Sequence, residues 1–233
     1  MMKTEDQADF LKAEVSELKG LDDFGVFEYF ETSDIPSESR RHLLNAIWSY
    51  RQKRRPDGTL LKHKSRICAD GSQQEDGVDY FDDEIYSPVV QWSTVRLTLL
   101  LSSLLGLKSR QIDFIQAFPQ APLDDDVYIR IPQGWKLNQD KQKLEQVPDD
   151  PKYCDKSNCI KLARNLYGIK QASKNFYEYV TKGLGSLGFQ PSLADPCLWL
   201  RKDAMICLYV DDCIIHANND SIVTDFILKM REK

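Results

Sequence analysis

The stretch LYVDDCIIHAN, from Leu208 to Asn218, places two adjacent aspartates, Asp211 and Asp212, between two apolar runs. The apolar runs are typical of strands, so the stretch predicts a tight hairpin with a two-residue turn at Asp211–Asp212. Aspartate is a good turn residue, and this alone is one sufficient reason for the pair. The alternative is a cation site, because two adjacent carboxylates repel each other unless a positive charge lies near them.

A third acid that could complete a cation site is Asp113, in RQIDFIQAF (110–118). This stretch predicts a strand, and an unpaired carboxylate buried within it would cost free energy. If the strand lies beside the hairpin, Asp113 and Asp211 converge and can hold two Mg²⁺ ions, which bind a few carboxylates together with water and substrate phosphates. Two such ions can activate an attacking hydroxyl and stabilise a leaving group. The separation in sequence (211 − 113 = 98) leaves both interpretations open.

The composition is that of an ordinary globular protein of 233 residues, 42% of them hydrophobic, with a net charge of −5. That length allows one or two domains, and the negative charge argues against a generic nucleic-acid binder. The N-terminus is polar, and the longest apolar run, LTLLLSSLLGL (97–107), is too short to span a bilayer. We therefore expect a soluble, intracellular protein whose six cysteines are reduced thiols that bind no metal.

Positive charge is concentrated in RQKRRPDGTLLKHKSR (51–66), which carries seven Lys and Arg residues against one acid, Asp57. Within it, PDGT (56–59) predicts a turn, since proline fixes one φ angle and glycine supplies a positive one. The segment therefore predicts a second hairpin, with basic residues along both arms.

The rest of the chain shows the periodicity of helices and strands. The helix predicted at 92–107 is apolar nearly all round and is therefore expected to be buried. The polar segment 136–158 is expected to be a loop. The other predicted elements are a helix at 4–20 that stops at Gly20, a strand at 25–31, a helix at 173–189, three strands within 197–217 and a helix that starts at Ser221.

Five motifs follow one another along nearly the whole chain: HKSRICADGSQ with YSPV after it, RQIDFIQAFPQAP, LYGIKQASKNFYEYV, GFQPSLADPCLWL and LYVDDCIIHA. Each is weak alone, but in this order and spacing they resemble the reverse transcriptase domain of copia-type long-terminal-repeat retrotransposons. The resemblance implies an α+β fold, namely the fingers and palm of a right-hand polymerase. The palm would be a small antiparallel sheet backed by helices, and the thumb would be absent.

The resemblance also implies domain boundaries. These are an N-terminal helical segment at 1–23, fingers with the basic hairpin and the buried helix at 24–107, palm with the first catalytic aspartate at 108–135, a return to the fingers at 136–172, and palm with the YVDD hairpin at 173–233. The chain ends 21 residues after Asp212 (233 − 212 = 21). The family continues into the rest of the palm and the thumb, so a truncated palm is expected.

By position within the motifs, the resemblance implies that Asp113, Asp211 and Asp212 are the catalytic acids, with Asp113 and Asp211 as the metal ligands. Asp212 is expected to act less directly, because neighbouring residues of a strand face opposite ways. Phe118 would collide with a 2′-hydroxyl and so select deoxynucleotides. The other implied nucleotide-binding residues are Gln171, Arg66, Lys64 and Lys170.

The implied activity is that of an RNA-directed DNA polymerase, which adds dNTPs to the 3′ end of a primer on an RNA or DNA template. The implied cofactor is two Mg²⁺ ions, with Mn²⁺ as the alternative. The implied partner is the remainder of a Gag-Pol-type polyprotein, with no membrane involved. The expected location is a cytoplasmic virus-like particle or the nucleus.

Two motifs depart from the family pattern. Asp70 stands where the family usually has a lysine, which places an acid near the implied triphosphate-binding strand, and Phe114 and Pro119 alter the usual D-V-x-x-A-F motif. Three functions therefore stay open. The chain is a polymerase domain, an inactive retrotransposon remnant, or a nucleic-acid-binding module that uses the basic hairpin without catalysis.

Overall fold

The structure is a computed structural model that describes residues 6–37, 39, 42–81, 85–147, 150 and 152–231. In chain order the elements are α1 (Gln7–Asp23), β1 (Phe27–Glu31), β2 (Ala46–Arg54), β3 (Leu60–Ala69), α2 (Trp92–Leu104), β4 (Lys108–Asp113), α3 (Ala117–Gln120), β5 (Tyr128–Arg130), β6 (Trp135–Asn138), β7 (Lys143–Gln146), β8 (Asn158–Leu162), α4 (Ala172–Ser186), β9 (Gln190–Pro191), β10 (Leu198–Arg201), β11 (Ala204–Tyr209), β12 (Asp212–Ala217) and α5 (Asp220–Arg231). Helices are mixed with antiparallel sheets, as the α+β class predicts.

The chain divides into two compact units. The first unit consists of Met1–Ile85 and Phe118–Ala172, and the second consists of Tyr86–Ala117 and Ser173–Lys233. These boundaries differ from the predicted ones at two places. Helix α2, which we had grouped with the basic hairpin, belongs to the second unit, and the segment from 118 to 135 belongs to the first. Helix α2 joins the second unit because it packs on β11 there.

The first unit contains a three-stranded sheet in the order β1-β8-β5 and the two hairpins β2-β3 and β6-β7. Its core is a continuous cluster of aliphatic side chains that includes Leu21, Ile67, Ile129, Ile160 and Leu162. The predicted basic hairpin is confirmed, because β2 and β3 pair antiparallel. The segment predicted as a loop is not wholly irregular, because β6 and β7 form a hairpin at its start, paired from Trp135 to Gln146.

Helix α1 packs against β3 and runs past Gly20, where we had expected it to stop. It ends at Asp23 instead, and a left-handed glycine, Gly25, with φ of +65°, follows two residues later. The amide of Val26 donates to the carbonyl of Leu21 at 3.1 Å, and the amide of Gly25 donates to Asp22 at 2.8 Å. This pair of bonds is the Schellman arrangement that satisfies the last carbonyls of a helix. The predicted start at residue 4 lies outside the described residues.

The second unit is built on a five-stranded sheet in the order β4-β12-β11-β10-β9. Helix α5 packs on β12, and the rings of Phe189 and Phe226 meet at 5.8 Å in the core beneath it. The amphipathic helix α4 contributes the buried side chains of Phe176, Val180 and Leu184. The three strands β10, β11 and β12 were predicted in this order, with turns between them.

Helix α2 contradicts the expectation that it is buried on all sides. Trp92, Leu100 and Leu104 are 74%, 57% and 72% exposed, whereas Thr98 and Ser102 are buried. The small polar side chains face the sheet because they find partners there: Thr98 Oγ1 lies 3.4 Å from the Cys207 sulfur, and Ser102 shares a hydrogen bond with a β4 hydroxyl. Within the described part of the chain, no helix is both long enough and apolar enough to cross a membrane.

Candidate active site and nucleic-acid-binding residues

Three aspartates come together at one end of the sheet in the second unit. Strands β4 and β12 pair antiparallel with Asp113 directly opposite Asp212, so both side chains lie on the same face of the sheet. Residues opposite each other in such a pair have Cβ atoms roughly 4.5–5.5 Å apart. The carbonyl oxygen of Asp211 accepts a hydrogen bond from the amide of Phe114 at 2.8 Å. The prediction that the Asp113 strand lies beside the YVDD hairpin is therefore confirmed.

The register in that prediction is wrong. The turn consists of Val210 and Asp211, because Tyr209 and Asp212 pair as the last residues of the β11–β12 ladder. The ladder therefore places Asp212, and not Asp211, opposite Asp113, and Asp212 faces the same way as Asp113. Asp113 is exposed, so the cost that burial of a lone carboxylate would carry does not arise.

The turn itself is strained. Val210 has φ of +54°, a left-handed conformation that a β-branched side chain rarely adopts. Residues held in such regions cost on the order of 1–3 kcal/mol and persist where the surrounding structure fixes them. Here the β11–β12 ladder closes directly on either side of the turn and β12 is also paired with β4, so the turn is held from both strands. Strain of this kind is concentrated at functional sites.

The surroundings of the three aspartates contain little positive charge. Within the described ranges, Asp113, Asp211 and Asp212 form no ion pair with any Lys, Arg or His. One neutral donor is present, since Gln111 Nε2 donates to Asp212 Oδ1 at 3.2 Å. A mainly apolar cavity of about 310 Å³, lined in part by Asp212 and by Trp92 of α2, opens on the same face. Among the described residues, no cation therefore pairs with these carboxylates to offset their mutual repulsion.

The donor set suits a hard divalent cation. No group of three or more His, Cys, Asp or Glu side chains is arranged to hold a metal ion among the described residues. The opposed pair Asp113 and Asp212 nevertheless fits Mg²⁺, because polymerase-type Mg²⁺ is usually held by one or two carboxylates, waters and substrate phosphates rather than by a cage of protein ligands. The residues present are therefore of the right kind to hold a divalent cation.

The basic hairpin of the first unit carries five of its seven Lys and Arg residues on one face. In the β2–β3 ladder, Arg51 lies opposite Lys64 and Lys53 lies opposite Lys62, with Arg66 on the same face. Directly opposed like charges are destabilising. Burial, together with the neighbouring Arg66, lowers the pKa of Lys64. The residues of the other face, such as Tyr50 and Ser65, point toward α1. The hairpin therefore presents a cationic surface backed by a packed one.

Arg66 is held by an aromatic side chain that we had not singled out. Its guanidinium lies 4.0 Å from the centre of the Tyr167 ring, in the LYG motif, and the ring of Phe118 meets Tyr167 at 5.0 Å. A guanidinium stacked on a ring keeps its donor edge free for bidentate phosphate contact. Tyr167 thus links Arg66 and Phe118, two residues that we had predicted separately. Phe118 also packs against the core of the first unit.

The glycines of the ADG and LYG motifs, Gly71 and Gly168, are required for the same reason, since neither position has room for a side chain. A Cβ on Gly71 would lie 2.0 Å from the carbonyl oxygen of Gly168, and a Cβ on Gly168 would lie 2.0 Å from that of Ala69. Gly168 also has φ of +100°. The end of β3 and the Tyr167–Gly168 turn therefore approach each other at backbone distance, with the Ala69 amide donating to the Tyr167 carbonyl at 2.8 Å. This crossing fixes Tyr167 beneath Arg66.

Gln171 and Lys170 are engaged within the first unit. Gln171 is 3% exposed, its Nε2 donates to Asp125 Oδ2 at 2.9 Å, and its Oε1 accepts from Gln74 at 3.0 Å. Lys170 Nζ donates to the hydroxyl of Tyr80 at 2.6 Å. The structure gives both side chains a role in holding the loop before α4. The nucleotide contacts predicted for them stay predictions.

Asp70, the departure from the family pattern, has a local role. Its side chain accepts hydrogen bonds from the amide and hydroxyl of Ser72, at 3.3 and 2.6 Å, and so caps the short 3₁₀ turn Gly71–Gln73. The Asp70 carboxylate therefore forms its hydrogen bonds within its own turn. An Asp-Gly-Ser sequence after a strand is the signal that could have predicted this cap.

Comparison with known proteins assigns the chain to a family. Residues 27–233 match the family described as reverse transcriptase (RNA-dependent DNA polymerase). The chain is 27% identical to the retrovirus-related Pol polyprotein from transposon TNT 1-94 of Nicotiana tabacum, over 91% of this chain and 15% of the relative. It is 32% identical to the corresponding polyprotein from transposon RE2 of Arabidopsis thaliana, over 76% of this chain and 11% of the relative.

A third relative is the Ty1-DR4 Gag-Pol polyprotein of Saccharomyces cerevisiae, which is 27% identical over 88% of this chain and 11% of the relative. The chain thus spans less than a sixth of the length of each of these polyproteins. The family match covers both units, including the aspartates of the second and the basic hairpin of the first. The resemblance drawn from the motifs is therefore confirmed: the chain belongs to the reverse transcriptase (RNA-dependent DNA polymerase) family.

Proposed function

We propose that this chain is the fingers and palm of the RNA-directed DNA polymerase of a copia-type retrotransposon. The first unit corresponds to the fingers and the second to the palm. The chain adds dNTPs to the 3′ end of a primer paired with an RNA or DNA template. Beyond family membership, the observation that carries this proposal is the pairing of Asp113 opposite Asp212 at the strained Val210–Asp211 turn.

In this proposal the aspartates are the ligands of two divalent cations. Asp113 and Asp212 present their carboxylates from adjacent strands, and Asp211 contributes from the turn between them. Two bound Mg²⁺ ions would activate the attacking 3′-hydroxyl and neutralise the charge on the leaving pyrophosphate. The role of the protein is to hold the carboxylates rigidly, which the two ladders on either side of β12 do.

The first unit supplies phosphate and sugar contacts. Arg66 is the strongest candidate for a triphosphate or template phosphate, because its stacking on Tyr167 leaves the donor edge of the guanidinium available. Lys64 adds charge on the same face of the hairpin. Phe118 is the proposed barrier to a 2′-hydroxyl, and it is steadied by its contact with Tyr167.

The proposed setting follows from the names of the relatives, which are Pol and Gag-Pol polyproteins of transposons. The chain would then act as one part of such a polyprotein, in a cytoplasmic particle or in the nucleus.

Primer extension on poly(rA)·oligo(dT) with dTTP and Mg²⁺ tests the activity. We expect incorporation by the wild-type chain and a loss of roughly a hundredfold or more in Asp211→Asn, because a carboxylate proposed to hold the divalent cations is removed. Asp57→Asn is the matched control, since it changes one acid in the turn of the other hairpin and keeps an acceptor for Thr59. Incorporation that is equal in all three proteins would contradict the proposed site.

The basic face of the β2–β3 hairpin favours a second candidate function, binding of nucleic acid without catalysis. In that case the chain would bind RNA in a salt-dependent way, Asp211→Asn would leave binding unchanged, and no extension would be detected. An inactive remnant would show neither mutant-sensitive extension nor salt-dependent binding.

A further inference from the structure

The first unit contains a cavity of about 500 Å³ on the packed side of the basic hairpin. Its wall combines the aromatic rings of Trp48, Tyr50 and Trp135 with the carboxylate of Glu14. The volume lies within the range of about 300–1,000 Å³ that is typical of small-molecule sites. Helix α1, which carries Glu14, precedes residues 27–233, so the cavity depends on a segment outside the family match.

Glu14 is a buried acid without a counter-ion. It is 4% exposed, and within the described ranges no Lys, Arg or His forms an ion pair with it. Its Oε1 accepts a hydrogen bond from the hydroxyl of Tyr50 at 2.7 Å, and its Oε2 accepts one from Trp135 Nε1 at 2.9 Å. An indole N–H can only donate, so Oε2 is an acceptor here, while the Tyr50 hydroxyl at Oε1 can donate or accept.

Buried charges in proteins are normally paired, because an isolated charge is costly in an apolar environment. Burial raises the pKa of the Glu14 carboxyl, which is the physical sign of that cost. A cation in the cavity beside Glu14 would offset the free-energy cost of burying the charged carboxylate. The cavity therefore combines a carboxyl group, two hydrogen-bonding partners that orient it, and an adjoining space in which a cation would favour its ionised form.

The aromatic walls decide which kind of cation fits. The ring of Trp48 lies 6.4 Å from that of Tyr50 at an interplanar angle of 23°, and 6.5 Å from that of Trp135 at 40°. Such surfaces attract weakly hydrated organic cations through their π-systems, and quaternary ammonium groups are the ligands best suited to them. Mg²⁺ and Ca²⁺ require several oxygen ligands, which aromatic walls do not provide.

We propose that this cavity binds a small organic cation with a methylated ammonium group, with Glu14 as its counter-charge and Trp48, Tyr50 and Trp135 as its walls. This site is separate from the proposed polymerase chemistry and does not depend on it. The cation would stabilise the contact between α1 and the β2–β3 hairpin, because both elements contribute to the cavity wall.

The test is a titration of the ¹⁵N-labelled chain with choline, followed through its four indole N–H signals by NMR. We expect saturable shifts of the Trp48 and Trp135 signals and none of Trp92 or Trp199, which lie in the second unit. The neutral isostere 3,3-dimethylbutan-1-ol has the same shape without the charge, and we expect it to bind at least about tenfold more weakly. This comparison needs no variant protein.

A variant isolates the carboxylate. Glu14→Gln keeps the size of the side chain and removes the charge, and we expect it to weaken choline binding by about tenfold or more. Glu178→Gln, the same change at an exposed position of the second unit, is the control that leaves binding unchanged. Titration with Nε-trimethyl-lysine then distinguishes a free cation from a methylated side chain, according to which of the two binds more tightly.

Two results would overturn the proposal. One is equal affinity for choline and its neutral isostere, which would show that the site does not recognise charge. The other is the absence of any saturable shift of Trp48 or Trp135 up to roughly 10 mM choline, a concentration at which even a weak millimolar site is occupied.

Discussion

The β2–β3 hairpin of the first unit and the β4–β12 ladder of the second unit each place like charges directly opposite each other. The charges are positive in the hairpin and negative in the ladder. In the hairpin, Lys53 faces Lys62 across the ladder, and the next cationic pair on that face repeats the arrangement. In the second unit, Asp113 faces Asp212. Directly opposed like charges destabilise a sheet. Each ladder therefore becomes more favourable when a group of the opposite charge binds: phosphates on the hairpin and divalent cations on the aspartates.

The turns of the two hairpins also differ. Gly58, with φ of +85°, occupies a conformation that suits glycine, and Asp57 accepts hydrogen bonds from Thr59 in the same turn. Val210, with φ of +54°, occupies a conformation that its side chain disfavours. The first turn follows local preference and serves the fold. The second violates it, which is expected where a turn is selected for the position of its aspartates rather than for stability.

The largest effect that would sharpen this comparison concerns nucleic-acid binding. Lys53→Gln together with Lys62→Gln removes one opposed cationic pair, and we expect affinity for a labelled RNA–DNA duplex to fall about tenfold at low salt. The slope of log affinity against log salt should decrease in magnitude by roughly two. Fluorescence anisotropy over a salt series measures both quantities.

The control for that experiment is Lys182→Gln with Lys202→Gln, which removes two exposed lysines from the second unit. Equal losses in the two double variants would mean that the hairpin face is no more than general surface charge.

An exchange of turn residues gives the next largest effect. We expect Val210→Gly to stabilise the protein by about 1 kcal/mol, because glycine adopts a positive φ without strain. We expect Gly58→Val to destabilise it by about 1 kcal/mol or more for the same reason. Urea unfolding gives both values. If Val210→Gly is destabilising, the turn is not strained and the contrast between the two hairpins fails.

The smallest effect concerns the two histidines of these ladders. His216 is fully buried, its Nδ1 lies 2.7 Å from the Ser109 hydroxyl, and its Nε2 has no partner among the described residues. Burial lowers the pKa of His216 from 6.5. Between that lowered pKa and about 6.5 the unfolded chain binds more protons than the folded one, so stability is present above that range and is lost as the pH falls through it.

We therefore expect His216→Gln to reduce the loss of stability between pH 7 and pH 5, as measured by thermal unfolding at each pH. His63→Gln in the basic hairpin is the control. Its ring lies 3.0 Å from a carboxylate oxygen of Asp6, a surrounding unlike the neutral one of His216. An undiminished loss in His216→Gln would assign the acid sensitivity to other groups.

Much of this architecture could be predicted from the sequence, because it depends on local signals. The PDGT turn, the order of β10, β11 and β12, and the adjacency of Asp113 to the YVDD hairpin all follow from strand patterns and motifs. The exposure of α2 could not be predicted, because apolar periodicity does not show that Thr98 and Ser102 have hydroxyl partners on the sheet.

The register of the strands at the site also could not be predicted from the sequence. Because aspartate is a better turn residue than valine, the sequence predicted the turn at Asp211–Asp212, one residue later than the observed turn at Val210–Asp211. Only the pairing of Tyr209 with Asp212 shows that Val210 is inside the turn. Tyr167 and Gln171 illustrate the same limit. Their positions within LYGIKQ gave no sign that one stacks beneath Arg66 and that the other is buried in a hydrogen-bond network.

The most direct test of the account is whether a divalent cation binds at the opposed aspartates. Substoichiometric Mn²⁺ added to the ¹⁵N-labelled chain should broaden the amide signals around Asp113 and Val210–Cys213 before any others. Asp113→Asn with Asp212→Asn should abolish that broadening, and Lys53→Gln with Lys62→Gln should leave it unchanged. Broadening that persists in the aspartate double variant, or that is as strong at the Asp57 turn, would contradict the central claim that this ladder holds the metal of the polymerase site.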